Sequence, residues 1–551
     1  MNAHEDPNAG VEEVPVLIAG GGLVGLSLAM FLAQHGIASL AVERRRGASS
    51  LPRAAFFHMR TLELFRAAGI EERVRQQSAL DFPPEGALII MDTLSGKKLA
   101  DIIPSLNEGV DAVSPCRRLF VTQPGLEPIL RARAVEAGAR VLEGSEVTGL
   151  EQDARGVTVT ARDVDSGAVR RLRGAYLVGA DGAHSVVREL LGIPFDGRGV
   201  FSNSLTIYFT ADLSPQLGGK PLSVIYVNNP ILGGFFRMSR DCQSGFLAVN
   251  TVGDPKVDPV AAANAAADTS EARLVELVRA GVGDPNLVVR IDGVARWRAT
   301  SDVARRYQDG RVFIMGDAAH VMPPNGGFGG NTGIHDAHNL AWKLALALRG
   351  AAGPKLLSTY EAERKPAGKF TVEQAYTRYV TRTASYLGAK DFQPLAHDFN
   401  IELGYLYRSA GIAAEDDDQG VHADPRETLG RPGSRAPHVW LESAGTRIST
   451  LDLFRGPFAL LAGPEGGAWA EAARAAAQRR AGLALDVHRV GAEGSDNLRD
   501  PEQRFCAAYG LSPSGAALVR PDGFVAWRAR RLADDPVRAV TDALATALAE
   551  A

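Results

Sequence analysis

Apolar residues cluster in two registers along this chain, and the register changes mark its elements. In "VPVLIAGGGLVGLSLAMFLAQHGIASLAVERR", from Val14 to Arg45, a short apolar run leads into three glycines. An apolar stretch with helical spacing follows, then a second apolar run. That order predicts strand, glycine turn, helix and strand, a βαβ unit. "RTLELFRAAGI" and "PGLEPILRARAVEAGA" have the spacing of amphipathic helices. Residues 140–182 alternate like a β-meander and end in another apolar strand, "YLVGADG".

From Ile193 to Asp292 the texture becomes strand-rich, as in "SLTIYFTADL", "LSVIYVNN" and "GGFFRMS". "GRVFIMGDAAH" then returns to the earlier style, and helical spacing continues through "LLSTYEAERKPAGKFTVEQAYTRYVTRTA". A linker rich in charge, proline and glycine, "EDDDQGVHADPRETLGRPGSRAP", precedes a last region alternating strands with alanine-rich helices. The expected organisation is a mixed α/β chain with a dinucleotide-binding part at 1–192, resumed at 293–420. An inserted β-sheet substrate domain occupies 193–292, and a small α/β domain occupies 421–551.

Composition changes this picture little. At 551 residues the chain is too long for one core. Sixty basic and 64 acidic residues give a net charge of −4 and no basic stripe, which excludes the usual footprint of nucleic-acid binding. No apolar run approaches the roughly 18 residues that span a bilayer, and the polar N-terminus is unlike a signal peptide. Three separated cysteines, Cys116, Cys242 and Cys506, make no C-x-x-C pair. They argue for a reducing compartment and against a metal site. The expectation is a cytoplasmic enzyme with no nucleic-acid or membrane partner, its oligomeric state open between monomer and homodimer.

The glycines carry chemistry. Gly20, Gly22 and Gly25 form G-x-G-x-x-G between a strand and a helix, and the next strand ends at Glu43. The first glycine allows the tight turn, the second lets backbone approach a pyrophosphate, and the third lets the helix pack on the sheet. The helix N-terminus then faces the phosphates. Glu43 suits the two hydroxyls of an adenosine ribose and repels a phosphate there, which favours FAD or NAD over NADP at this site.

With "YLVGADGAHSVVRELLGI" and "GRVFIMGDAAHVMPPNGGFGGNTGIHDAHNLAWKLA" added in this order, the chain resembles the FAD-dependent aromatic hydroxylases, the class A flavoprotein monooxygenases. Within them it is most similar to bacterial polyketide hydroxylases of the anthracycline, angucycline and tetracenomycin type. The resemblance implies a Rossmann-like FAD-binding domain and a thioredoxin-like C-terminal domain, without redox function because C-x-x-C is missing. It places FAD on Gly20, Gly22, Gly25, Glu43, Arg44, Arg53, Gln123, Asp181 and Asp317. Arg188, beside Asp181, is either a ligand or a bridge to that aspartate. Pro323, Gly329, Gly330 and Asn331 would let backbone lie against the flavin ring ahead of a helix expected to start near Asn331.

The implied reaction consumes NADPH or NADH and dioxygen. It hydroxylates a polycyclic aromatic polyketide, a phenol or quinone, through a flavin hydroperoxide. Tyr226, on a predicted strand of the inserted domain, matches a tyrosine proposed to act in anthracycline hydroxylases, and Arg382 falls where relatives place a pocket arginine. A cation there would favour a phenolate. His320, His335 and His338 are weaker candidates for a base, and His335 with His338 imitates a metal pair on one helix face. Baeyer–Villiger insertion on the same scaffold, or a flavin-binding partner protein without turnover, remain open alternatives. No W-x-W-x-I-P-like segment supports halogenation.

Overall fold

The computed structural model describes residues 11–49, 56–82, 86–218, 222–384, 387, 391–491 and 498–550. Arg53 lies outside the described residues.

The N-terminal βαβ unit seeds the first sheet. Glu12–Ala19 pairs in parallel with Ser39–Glu43 on one side and with Val169–Gly179 on the other. Val312–Ile314 and Arg140–Glu143 extend this parallel core at its two ends. Val16, Leu17 and Ile18 are fully buried, as the continuous apolar run requires of a strand covered on both faces. Helix Leu23–Gln34 is apolar nearly all round and packs between this sheet and helix Phe328–Leu348.

A second mixed sheet runs in the order His320–Val321, Arg290–Ala304, Phe195–Thr210, Ser244–Val252, Leu232–Met238, Leu222–Asn228, Ala87–Met91, Lys98–Ile103. It is larger than the inserted segment read from sequence. Leu222–Asn228 pairs in parallel with Ala87–Met91, so residues of the first segment complete it. Parallel pairing links strands far apart in sequence, and local alternation carries no sign of it.

This sheet has two unlike faces, because successive side chains alternate. Leu205, Ile207, Ile225, Val227, Leu232, Phe236, Leu247 and Val249 form a core with Leu274, Leu277 and Val278 of helix Glu271–Val282. Tyr226, Phe235, Arg237 and Phe246 have the opposite parity and face the FAD-binding half.

The C-terminal part builds a four-stranded sheet in the order Leu485–Arg489, Phe458–Ala462, Ala516–Val519, Val525–Ala529, with helices Gly467–Gln478 and Pro536–Ala547. It docks through a buried ionic cluster. Glu363 accepts from Arg520 Nη1 (2.6 Å) and Nη2 (2.8 Å), from Lys343 Nζ (2.7 Å) and from Ser409 Oγ (2.7 Å). Arg520 also donates to Asp522 at 3.1 and 2.5 Å. Nearby, Glu63 accepts from Arg435 Nε at 2.9 Å and from Arg60 at 3.1 Å. No helix among the described residues is long and apolar enough to cross a membrane.

Candidate active site

The glycine turn is built as the fingerprint requires. Gly20 has φ +98°, and a Cβ there would sit 2.4 Å from the Ala180 carbonyl oxygen. A Cβ at Gly25 would meet the Gly20 oxygen at 2.0 Å, which is the close helix–strand approach expected of the third glycine. Gly22 has open space before it, its nearest neighbours being Glu127 Oε1 at 3.7 Å and Arg45 Nη2 at 3.8 Å. Helix Leu23–Gln34 has no side-chain cap, so its first amides are left for an anion.

Glu43 ends its strand and is held rigidly. Oε2 accepts from the Gly21 amide (2.7 Å), and Oε1 accepts from the amide and Nε of Arg45 (2.9 and 3.2 Å). Arg45, and not Arg44, therefore orients this carboxylate; Arg44 is exposed beside it. Gln123 opens helix Gln123–Glu136 and donates to Glu127 Oε1 at 2.7 Å, while Glu127 also accepts from the Ser49 amide at 2.7 Å. Gln123 and Glu127 thus stand at the mouth of the glycine turn.

Asp181 accepts from Ser185 Oγ (2.5 Å) and the Val187 amide (3.1 Å), capping the short helix Val186–Leu190. Burial raises this carboxyl against the pull of those bonds. Arg188 donates to the Ala183 carbonyl at 3.1 Å and stacks 4.1 Å from the Phe195 ring.

Asp317 sits in the tight turn Gly316–Ala318 after strand Val312–Ile314 and is exposed, although Gly316 and Ala318 are buried. Its carboxylate Oδ1 lies 3.8 Å from where a Gly329 Cβ would be. The following helix begins at Phe328, earlier than the Asn331 expected from sequence, because Gly327 turns the chain at φ 70°. Gly329 and Gly330 therefore fall in the first helical turn, where side chains are absent and no side chain caps the amides. Pro323 is buried behind this turn.

Asn331 does something other than meet a cofactor with its side chain. Its Nδ2 donates to Phe56 O (2.9 Å) and Gly327 O (2.7 Å), and its Oδ1 accepts from the His58 amide (3.0 Å) and Thr61 Oγ1 (2.7 Å). It ties the helix start to the strand Phe56–Phe57 and the helix after it. His58 Nε2 reaches the Gly326 carbonyl at 3.0 Å. Burial and Arg118 lower this imidazole to about 3, so it is a neutral donor.

The two catalytic candidates meet. Tyr226 is 4% exposed, and the Arg382 guanidinium carbon lies 5.8 Å above its ring centroid. Arg382 is the last residue of helix Pro354–Arg382, whose long run across the molecule carries it to the sheet. Arg378, one turn earlier, donates to Asp398 Oδ1 at 2.6 Å and lies 5.2 Å from the Phe328 ring. Burial pushes the Asp398 carboxyl up, but Arg378 and Arg118 carry it below its usual range. Sequence reading missed Arg378, Asp398 and His58; the one available signal was Arg378, four residues before Arg382 on one helix face.

The three histidine candidates are each engaged by neighbouring side chains. His320 Nε2 bonds Asp336 Oδ2 at 2.7 Å, fully buried, and Asp336 is also held by Arg364 Nε at 2.7 Å. His335 contacts Thr61 Oγ1 at 3.1 Å, and His338 meets the Phe31 ring edge-on at 4.8 Å. Among the described residues no cluster of three His, Cys, Asp or Glu could hold a metal.

The tight glycine turn, the rigid Glu43, the exposed Asp317 and two uncapped helix N-termini fit one extended dinucleotide such as FAD. Comparison with known proteins agrees. Residues 13–375 match the FAD binding domain family, and residues 429–551 match the aromatic-ring hydroxylase C-terminal family. The chain is 51% identical over 540 residues to the 4-methyl-5-nitrocatechol 5-monooxygenase of Burkholderia sp, covering 97% of this chain and 98% of that one. It is 38% identical over 560 residues to the tetracenomycin A2 monooxygenase-dioxygenase of Streptomyces glaucescens, covering 98% and 97%. The crystal structure of aklavinone-11 hydroxylase with FAD and aklavinone superposes with a TM-score of 0.90 at 36% identity, covering all of both chains. This chain belongs to the FAD-dependent aromatic-ring hydroxylases and is a flavoprotein monooxygenase.

Proposed function

We propose that the substrate is an electron-rich phenol held between the Tyr226 face of the second sheet and the flavin, and that it reacts as its phenolate. The observation carrying this reading is the Arg382 cation stationed 5.8 Å over the Tyr226 ring on the sheet face turned toward the FAD-binding half. FAD, held by Gly20, Gly22, Gly25, Glu43, Gln123, Asp181, Asp317 and the first turn of helix Phe328–Leu348, would take electrons from NADPH or NADH and activate dioxygen. Arg382 favours negative charge on a phenol beside Tyr226, and Tyr226 orients that oxygen and relays its proton outward, giving up its own hydroxyl proton as it takes the substrate's. The sheet and the end of helix Pro354–Arg382 exclude water from the reacting carbon.

The polycyclic polyketide reading is supported by the tetracenomycin relative and by the aklavinone hydroxylase structure. A monocyclic catechol bearing a nitro group is a second reading, favoured by the 51% identity to the nitrocatechol monooxygenase along nearly the whole chain.

The test is NADPH and NADH oxidation by the purified flavoprotein against hydroxylated anthraquinones and nitrocatechols, with mass and carbon NMR of the products. One added oxygen on an intact ring skeleton is the expected result. A broken or expanded skeleton would instead establish Baeyer–Villiger insertion, and absence of flavin reduction with every reductant would leave a binding protein. Asp317→Ala checks the cofactor assignment: the dissociation constant for FAD, measured on the apoprotein, should rise at least about tenfold, the loss of one charged hydrogen bond. An unchanged dissociation constant in that variant would remove Asp317 from the site.

A further inference from the structure

Helix Pro354–Arg382 brings two cations toward Tyr226, and the structure gives an acid to only one of them. Arg378 and Arg382 are one turn apart and lie on one helix face. Arg382 stands over the Tyr226 ring and makes no hydrogen bond or ion pair with a described residue. Arg378 is 3% exposed and fully engaged. Its Nη2 donates to Asp398 Oδ1 (2.6 Å) and the Ala396 carbonyl (3.1 Å), and its Nη1 donates to Gln374 Oε1 (2.9 Å). Its guanidinium carbon lies 5.2 Å from the ring centre of Phe328, the first residue of the helix at the flavin seat.

Asp398 is placed just as firmly. It opens the short helix Asp398–Glu402, capped by His397, whose Nδ1 accepts from the Phe399 amide at 3.1 Å. Gln374 accepts from the Ala396 amide at 2.9 Å and donates to the Pro394 carbonyl at 2.8 Å, and Thr377 donates to the Gln393 carbonyl at 2.9 Å. The chain leading to Asp398 is thereby laid along the end of helix Pro354–Arg382. Burial pushes the Asp398 carboxyl up, and Arg378, then Arg118 and Arg382, carry it below its usual range, so it is an anion at neutral pH. The other titratable groups around this pair are Arg118 and Glu402, which bond each other at 2.9 Å, neutral His58, His397 and Tyr226.

Two cations would favour a phenolate beside Tyr226 more than one does. An oxygen held too strongly as its anion pushes less electron density into the ring, so the useful pKa lies near the working pH and no lower. We infer that Asp398 is a positioning residue for the reaction: by neutralising Arg378 it leaves Arg382 to act alone on the phenol beside Tyr226, and so sets how strongly that phenol is ionised. This rests on the phenol reading above.

The experiment titrates a bound phenol optically, on oxidised FAD-loaded enzyme without reductant, so that nothing turns over. The probes are 4-nitrocatechol and 1-hydroxyanthraquinone, whose anions absorb at longer wavelength than their neutral forms. Difference spectra against ligand-free enzyme give the midpoint of the bound ionisation. Asp398→Asn should lower that midpoint by about half to one pH unit, the scale of a unit charge a helix turn or two away in a partly buried site. Asp398→Glu should restore the wild-type value, and Arg378→Gln, which leaves Asp398 unpaired, should raise it. Opposite shifts are the signature of charge, whereas a merely structural pair moves both variants the same way and overturns the inference. If Arg378→Gln does not retain FAD, Asp398→Asn against Asp398→Glu decides. An unchanged or raised midpoint in Asp398→Asn also overturns it. So does a shift that vanishes in a Glu402→Gln background, because burial raises that acid to about 7 and it titrates in the same window. Arg382→Met separates the two claims and should raise the midpoint. If it does while Asp398→Asn moves nothing, only the role of Asp398 fails. If it does not, or if neither probe shows a bound spectrum, the phenol reading fails and takes the inference with it.

Discussion

Two places in this molecule bury positive charge, and they do so in opposite ways. At the seam with the C-terminal part, Arg520 and Lys343 are matched by Glu363 and Asp522, and Glu363 alone accepts at 2.6 to 2.8 Å from four partners, Arg520, Lys343, Ser409 and Asn339. On the sheet face, Arg237 lies against two phenyl rings tilted 65° to each other, and its Nε and Nη2 are buried without an oxygen partner. Burial of either kind removes hydration. The seam replaces the lost hydration with protein oxygens and becomes a fixed joint. The sheet face offers aromatic rings in place of oxygens, a weaker substitute for water around a cation. Lys343 shows the tension within the joint, since burial lowers its ammonium to about 8 even though Glu363 opposes the shift.

The sharpest way to break the comparison is at the seam. Glu363→Ala strands Arg520 and Lys343 and should cost about 3–5 kcal/mol, the range for one partner removed from a buried ion pair. Chemical denaturation should show the loss, and a change under about 1 kcal/mol would mean the joint contributes little. Arg382 is an intermediate case, half-buried over the Tyr226 ring. Tyr226→Phe should lower kcat by roughly 100-fold with KM moving far less, the scale of an acid–base contribution. Equal loss in both would reduce Tyr226 to a packing residue.

Arg237→Met should move stability in the direction opposite to Glu363→Ala. Removing a poorly compensated buried charge while keeping an apolar stem should stabilise the enzyme by about 1–2 kcal/mol. A destabilised variant would show that the ring contacts hold the sheet together.

A pH-dependent effect concerns Glu402, which accepts from Arg118 Nε at 2.9 and 3.0 Å. Burial raises its pKa from 4.5 to about 7, Arg118 opposing and Asp398 adding to the rise. The native state then holds more protons than the unfolded chain between those values, so stability falls as pH rises through that window and is level above it. Glu402→Gln should remove up to one proton's worth of this slope, read as the melting temperature against pH from 4.5 to 8.

Much of the cofactor site was legible because its signals are local. The strand, the three glycines and Glu43 lie within one βαβ unit, and each residue's task follows from its spacing. The finer contacts around it depend on side-chain placement that spacing alone leaves open. Arg44 and Arg45 are neighbours with identical side chains, and only the turn after the strand decides which one reaches Glu43. Asn331 is polar at a helix start, yet its amide is consumed by Phe56, His58, Thr61 and Gly327. Arg237 was out of reach altogether. Its meaning depends on Phe82 and Phe120, which the second sheet brings against it from the first segment of the chain.

The parallel pairing of Leu222–Asn228 with Ala87–Met91 has a consequence for how the chain matures. During synthesis the Ala87–Ile103 hairpin emerges long before its partner strand, so one of its edges waits unpaired. The opposite edge of the same sheet closes only when His320–Val321 joins Arg290–Ala304. The sheet is therefore a late, non-local assembly, and destabilising changes along the Ala87–Met91 edge should surface first as poor yield or aggregation of newly made protein.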